Sequence, residues 1–180
     1  PRRADERLSL GIETLSCPQE NTVLLTYEPS SVKFYGQDYM DQFGMVLTSH
    51  EPETLRHRNR QDMPPIGVWF YGGLEQANAH PSVPKKTGLV SMFGSPKAQK
   101  HTLHHRRAEF LVEMAEGLGE QVDVYGKGYQ FVEHKAEGID AYRYHIAVEN
   151  HIGPHHWTEK LSDAFLGHSL PFYVGCSNLE

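Results

Sequence analysis

The chain has 180 residues, 38% hydrophobic and 22% charged, with a formal net charge of −6 when its histidines are neutral. That is the composition of a globular protein on the polar side, long enough for one sizeable core or two smaller halves. The acidic balance argues against a nucleic-acid binder. No stretch approaches the roughly eighteen consecutive apolar residues that a membrane-spanning helix needs. Pro1-Arg2-Arg3-Ala4-Asp5-Glu6-Arg7 lacks the apolar segment of a secretory leader, so the expected compartment is the cytoplasm. Cys17 and Cys176, at opposite ends, give no disulfide framework, which agrees with a reducing compartment.

Leu8, Leu10, Ile12 and Leu15 fit a helix or a ragged strand equally well. Thr22–Tyr27 reads as a short buried strand, bounded by Asn21 and Pro29, with Glu28 at its C-terminal end. A short helix over Gln37–Phe43 and a strand over Met45–Thr48 complete a parallel crossover unit. Arg56-His57-Arg58-Asn59-Arg60 is a basic knot, read as a solvated loop with acidic-ligand contact as the alternative. Met63–Gly67 is a turn, and Val68–Tyr71 reads as a strand. Gly72–Thr87 is rich in glycine, proline and basic residues and poor in apolar ones, the composition of a linker between halves. The halves are then 1–84 and 85–180. Gly88–Phe93 is the next strand. Phe110, Leu111, Met114 and Leu118 form the apolar stripe of a helix over His104–Leu118, closed by Gly119. Val122–Gly126 is a strand, and Gly138–Ala141 a helical turn.

The densest signal lies at 142–175. Tyr144, Ile146 and Val148 alternate with Arg143 and His145, the period of a strand with one buried face. Ile152-Gly153-Pro154 breaks regular structure. Thr158 then caps a helix with apolar positions Leu161, Ala164 and Phe165 and Gly167 past its end. Ser169–Gly175 is a final strand. The strand end and the helix N-terminus bring Glu149, Asn150, Glu159 and Lys160 together, a place suited to a phosphate-bearing ligand.

Here the chain resembles a known family. Val148-Glu149-Asn150, a polar loop, then Thr158-Glu159-Lys160 resembles the donor-binding signature of the α-1,3/4-fucosyltransferases, glycosyltransferase family 10. Ser169–Gly175, and Arg106-Arg107 followed by a helix and Val122-Asp123-Val124-Tyr125-Gly126, resemble the same family. The resemblance implies an α/β fold of two Rossmann-like lobes, of glycosyltransferase-B type, acceptor lobe first and donor lobe second, both abbreviated here. It implies an inverting glycosyltransferase that moves fucose from GDP-fucose to a hydroxyl of an acceptor glycan. By that resemblance Lys160 and Arg107 contact the diphosphate. Glu159 and Asn150 hold ribose, diphosphate or sugar, and His156 stands beside the donor where the family often has tyrosine. Glu28 is then the general base.

The residues alone leave several of these roles open. Arg106 and Arg107 are, by position, ordinary helix-surface residues. Glu149 either contacts ligand or accepts hydrogen bonds from Thr158 and the helix N-terminus. Glu28 is either a base or a surface carboxylate. No Asp-x-Asp pair is present, and cationic side chains with a helix N-terminus can neutralise a diphosphate without a metal. Among twelve histidines, His101, His104 and His105, and His151, His155 and His156, form sequence clusters. Surface histidines are the preferred reading, with a histidine-rich metal-binding domain as one alternative. The other is a nucleotide-sugar-binding fragment without activity.

Overall fold

A computed structural model of the chain describes residues 16–65, 71, 82–95 and 103–179. The expectations for Leu8–Leu15, Val68–Phe70, His101 and most of the linker fall outside these residues. Those described form two compact units. The first comprises 16–65, Gly153–His156 and 176–179. The second comprises 71, 82–95, 103–152 and Trp157–Gly175. Tyr71 and residues 82–84 thus group with the second unit.

In the first unit, β1 (Val23–Leu25), α1 (Gln37–Met40), β2 (Met45–Thr48) and β3 (Arg60–Asp62) follow in order. The three strands form a parallel sheet, β1-β2-β3, with Leu24 beside Val46 and Leu47 beside Gln61. Leu24, Tyr35, Met40, Val46 and Leu55 make the core, with Tyr39 and Phe43 packed on it. Just past β1, Thr26 donates to Thr48 at the end of β2 at 2.6 Å. The basic knot is not all loop: Arg60 opens β3. No apolar alternation announces this strand. It is an edge held by backbone pairing with β2 and by the Arg60–Asp62 ion pair at 2.7 Å.

The second unit holds β4 (Gly88–Phe93), α2 (His104–Leu118), β5 (Val122–Tyr125), β6 (Tyr142–Val148), α3 (Glu159–Leu166) and β7 (Leu170–Val174). All four strands are parallel, in the order β5-β4-β6-β7. Alternation along β4 and β6 sends Val90, Met92 and Ile146 into one core with Leu111, Phe110 and Met114 of α2. On the other face Ser91 and His145, both buried, share a 2.9 Å hydrogen bond. Phe93 packs there with Tyr71, Ala136 and Ile139.

β6 therefore differs from its expected form. It is central, with both faces covered, so His145 and Ala147 are as buried as Ile146. Burial in turn pushes the His145 imidazole down to about 4, with Lys135 adding to the effect, so it is neutral near pH 7. The helical turn expected at Gly138–Ala141 sits earlier, as a 3₁₀ turn over Lys135–Gly138. Of the three apolar positions expected on α3, Leu161 and Ala164 are buried, whereas Phe165 is 60% exposed. Among the described residues no helix is long and apolar enough to cross a membrane.

Candidate functional site

The second unit gathers five of the seven candidate site residues at the C-terminal end of β6. Parallel α/β sheets place ligands at this edge, where strands end and helices begin. β6 ends at Val148, and the next two residues are Glu149 and Asn150. The Glu149 N–H donates to the Val174 carbonyl at 2.9 Å, which extends the β6–β7 ladder and fixes the residue. Its carboxylate is 1% exposed and is spent inside the protein. It accepts the Thr158 N–H at 2.8 Å, and the Thr158 hydroxyl lies 2.9 and 2.8 Å from its two oxygens. A side chain at Gly175 would strike the Glu149 Cγ at 2.4 Å, so glycine is required beside this carboxylate.

Thr158 caps α3 as its sequence position predicts. It has extended backbone geometry, and its hydroxyl accepts the Lys160 N–H at 3.4 Å. The same hydroxyl accepts from Lys160 Nζ at 3.0 Å. Lys160 Nζ is also 3.1 Å from Glu159 Oε1 and 3.4 Å from Glu149 Oε2. Burial pulls the Glu159 carboxyl up, but Lys160 and Lys135 more than offset it, so it titrates below its ordinary value.

Arg107, in the first turn of α2, reaches the same edge. Its guanidinium donates to Asn150 Oδ1 at 2.7 Å and to the Phe93 carbonyl at 3.0 Å. Burial lowers its pKa, and the Glu149 and Glu159 carboxylates work against that. An arginine stays charged under such shifts. Its Nε is buried without a hydrogen-bond partner among the described residues, leaving a donor to offer. Arg107 is thus no ordinary surface residue, unlike its exposed neighbour Arg106.

Arg107, Lys135 and Lys160 line one small pocket with Phe93, His145 and Asp163. Lys135 and Asp163 were not singled out from sequence. Lys135 Nζ is 2.9 Å from Asp163 Oδ2 and 3.6 Å from Glu159 Oε1. The available signal was an aspartate four residues after Glu159 on the same helix, a like-charge pair that needs a cation between its members.

Glu28 and His156 belong to the first unit. Glu28 is exposed, three residues beyond β1, and its carbonyl accepts from His50 Nε2 at 2.8 Å. His156 is 2% exposed, with Nδ1 2.9 Å from the Ser49 hydroxyl just past β2. Of the other histidines, His105 pairs with Glu109 at 3.2 Å on the surface of α2. Among the described residues no group of three or more His, Cys, Asp or Glu is placed to hold a metal ion.

Two solved structures share this fold. One is an α1,3-fucosyltransferase with GDP, at a TM-score of 0.54 and 18% identity, over 88% of this chain and 54% of that one. The other is an α1,3-fucosyltransferase with GDP-fucose, at 0.54 and 19%, over 89% of this chain and 54% of that one. The likeness at these identities is one of fold: α/β, with Rossmann-like parallel-sheet units of the glycosyltransferase-B type. The chain spans about half the length of the structures it matches. No protein-family model and no curated protein matches it.

Proposed function

We propose that this chain binds a nucleoside diphosphate sugar at the β6–α3 edge and acts as an inverting glycosyltransferase, with GDP-fucose as donor and a glycan hydroxyl as acceptor. The observation that carries the reading is the convergence of Arg107, Asn150, Glu159 and Lys160 at one strand end beside a capped helix N-terminus. The shared fold with fucosyltransferase structures that hold GDP or GDP-fucose supports it. In this reading Lys160, Arg107 and the α3 N-terminus neutralise the diphosphate, and Glu159 and Asn150 hold ribose or sugar. The acceptor oxygen bonds to the anomeric carbon as the bond from that carbon to the diphosphate oxygen breaks. Glu28 takes the hydroxyl proton, and GDP leaves with the bonding pair. The setting proposed for this chemistry is the cytoplasm.

GDP is expected to raise the melting temperature more than UDP or ADP. A ligand that binds only the folded state stabilises it by about 2.7 kcal/mol at a hundredfold excess over its dissociation constant. Equal or absent shifts with the three nucleotides, read by differential scanning fluorimetry, overturn the donor assignment. A second reading, a nucleotide-sugar-binding fragment without activity, is favoured by the half-length match. A GDP shift without transfer or hydrolysis of GDP-fucose selects it.

Lys160→Ala tests the phosphate contact. Losing one charge-assisted hydrogen bond to phosphate costs about 1.5–3 kcal/mol, roughly tenfold or more in GDP affinity. Unchanged affinity in titration calorimetry would place Lys160 outside the site. The variant also takes the ammonium away from the buried Glu149 carboxylate, so its melting curve is recorded beside the affinity and the loss is read in folded protein.

A further inference from the structure

The pocket at the β6–α3 edge is lined by three cations, Arg107, Lys135 and Lys160, and by Asp163. The Glu149 and Glu159 carboxylates lie behind the lysines, within 3.6 Å of them. Glu149 is committed to Thr158. Glu159 and Asp163 are i, i+4 on α3, so their side chains lie one above the other on one face and repel. Asp163 is also 1% exposed, where a lone carboxylate is costly. The cation between them is Lys135, at 2.9 Å from Asp163 and 3.6 Å from Glu159, its side chain 24% exposed.

Lys135 is itself held from behind. It opens the 3₁₀ turn Lys135–Gly138, which is closed by a capping box in which Glu137 accepts the His134 N–H at 2.8 Å. The next residue's N–H donates to the Tyr71 carbonyl at 2.9 Å, and Ile139 is fully buried. A side chain at Gly138 would come within 2.7 Å of the Phe93 ring, so the turn lies tight against β4. The Lys135 ammonium sits 5.8 Å from that ring centroid, and the Phe93 carbonyl receives Arg107. One turn thus references α3, β4 and the arginine of α2 to one another.

We infer that Lys135 is a positioning residue of the donor site: it bridges Asp163 and Glu159 from a rigid turn and so fixes the orientation of Glu159 toward the ligand. That role rests on the donor reading above. It also accounts for the charge state of Glu159, which Lys135 and Lys160 together keep below its ordinary titration range.

A merely structural role would be to neutralise Asp163, and the test removes that role. Lys135→Met/Asp163→Asn deletes both members of the buried pair, so no uncompensated charge is left in the core. Two measurements follow, on wild type, Asp163→Asn, the double variant and Lys135→Arg. The first is the titration of the Glu159 carboxyl by carbon NMR without ligand. The second is GDP affinity by calorimetry. Against Asp163→Asn alone, which already lacks the like charge, the double variant is expected to move the Glu159 titration upward and to weaken GDP by about threefold to tenfold, within the range of coupling in one ion-pair network. Lys135→Arg is expected to restore both. An unchanged Glu159 titration in the double variant overturns the inference. So does unchanged GDP affinity. A shifted titration in a protein whose wild type binds no GDP instead upholds the Lys135–Glu159 coupling and sinks the donor reading.

Discussion

Glu149→Ala is expected to lower the free energy of unfolding by about 3–5 kcal/mol, the usual cost of removing one partner from a buried ion pair. The carboxylate it deletes is among the most buried side chains described. Thr158 supplies its N–H and hydroxyl, and Lys160 its ammonium at 3.4 Å. Without Glu149 the Thr158 N–H faces an apolar methyl group, and a desolvated donor left unpaired carries its full penalty. The cap of α3 loosens with it, because the Thr158 hydroxyl loses the acceptor that orients it toward Lys160. A urea titration should show a lower midpoint with an unchanged slope, since the surface exposed on unfolding is the same. Glu149→Gln should fall between, keeping one oxygen for Thr158 while setting an amide N–H₂ against Lys160. An unmoved midpoint in Glu149→Ala would show that Thr158 and Lys160 find other partners. Of the two roles open to Glu149 from sequence, this geometry supports acceptance from Thr158 and the helix start.

The comparison of sequence with structure turns on what kind of interaction makes each element. α2 was legible because Phe110, Leu111, Met114 and Leu118 repeat at the helix period and all four pack in the core, and β2 and β4 were legible as short runs of strand-forming residues. The cap at Thr158 was legible because a threonine before an apolar stripe has one local use. β3 was not, because Arg60-Gln61-Asp62 pairs through its backbone and carries no apolar side chain to mark a buried face. The double-sided burial of β6 was not, because it depends on α2 and α3 packing over the sheet, which alternation within one strand does not encode. The exposure of Phe165 has the same origin: the period marks a helix, while its neighbours decide which apolar residue is covered. In the site, Glu149, Asn150, Glu159 and Lys160 could be read together because they flank one strand–loop–helix passage. Lys135 could not, since its partner Asp163 lies 28 residues away and only the fold brings them to 2.9 Å.

Glu28→Gln is expected to reduce turnover by about two to four powers of ten, the usual worth of general-base catalysis, while GDP affinity stays nearly intact. The amide keeps the shape of the side chain and removes its basicity. Folding should be insensitive to the change. The side chain is exposed, and it is the backbone carbonyl of Glu28, unaffected by the substitution, that accepts from His50. The residues proposed to bind donor, Arg107, Glu159 and Lys160, all belong to the second unit and Glu28 to the first, so a base role predicts a clean separation of chemistry from nucleotide binding. Steady-state transfer from GDP-fucose and calorimetry with GDP, run on the same preparations, measure the two halves. A matched loss of GDP affinity would mean that Glu28 holds donor or fold instead. Full turnover would pass the role to another group. His156 is the next candidate; it is 2% exposed and paired with Ser49, so it would have to give up that hydrogen bond or act through it. His156→Gln then separates these cases, because a base at His156 loses turnover with the melting temperature held, whereas a packing role lowers the melting temperature.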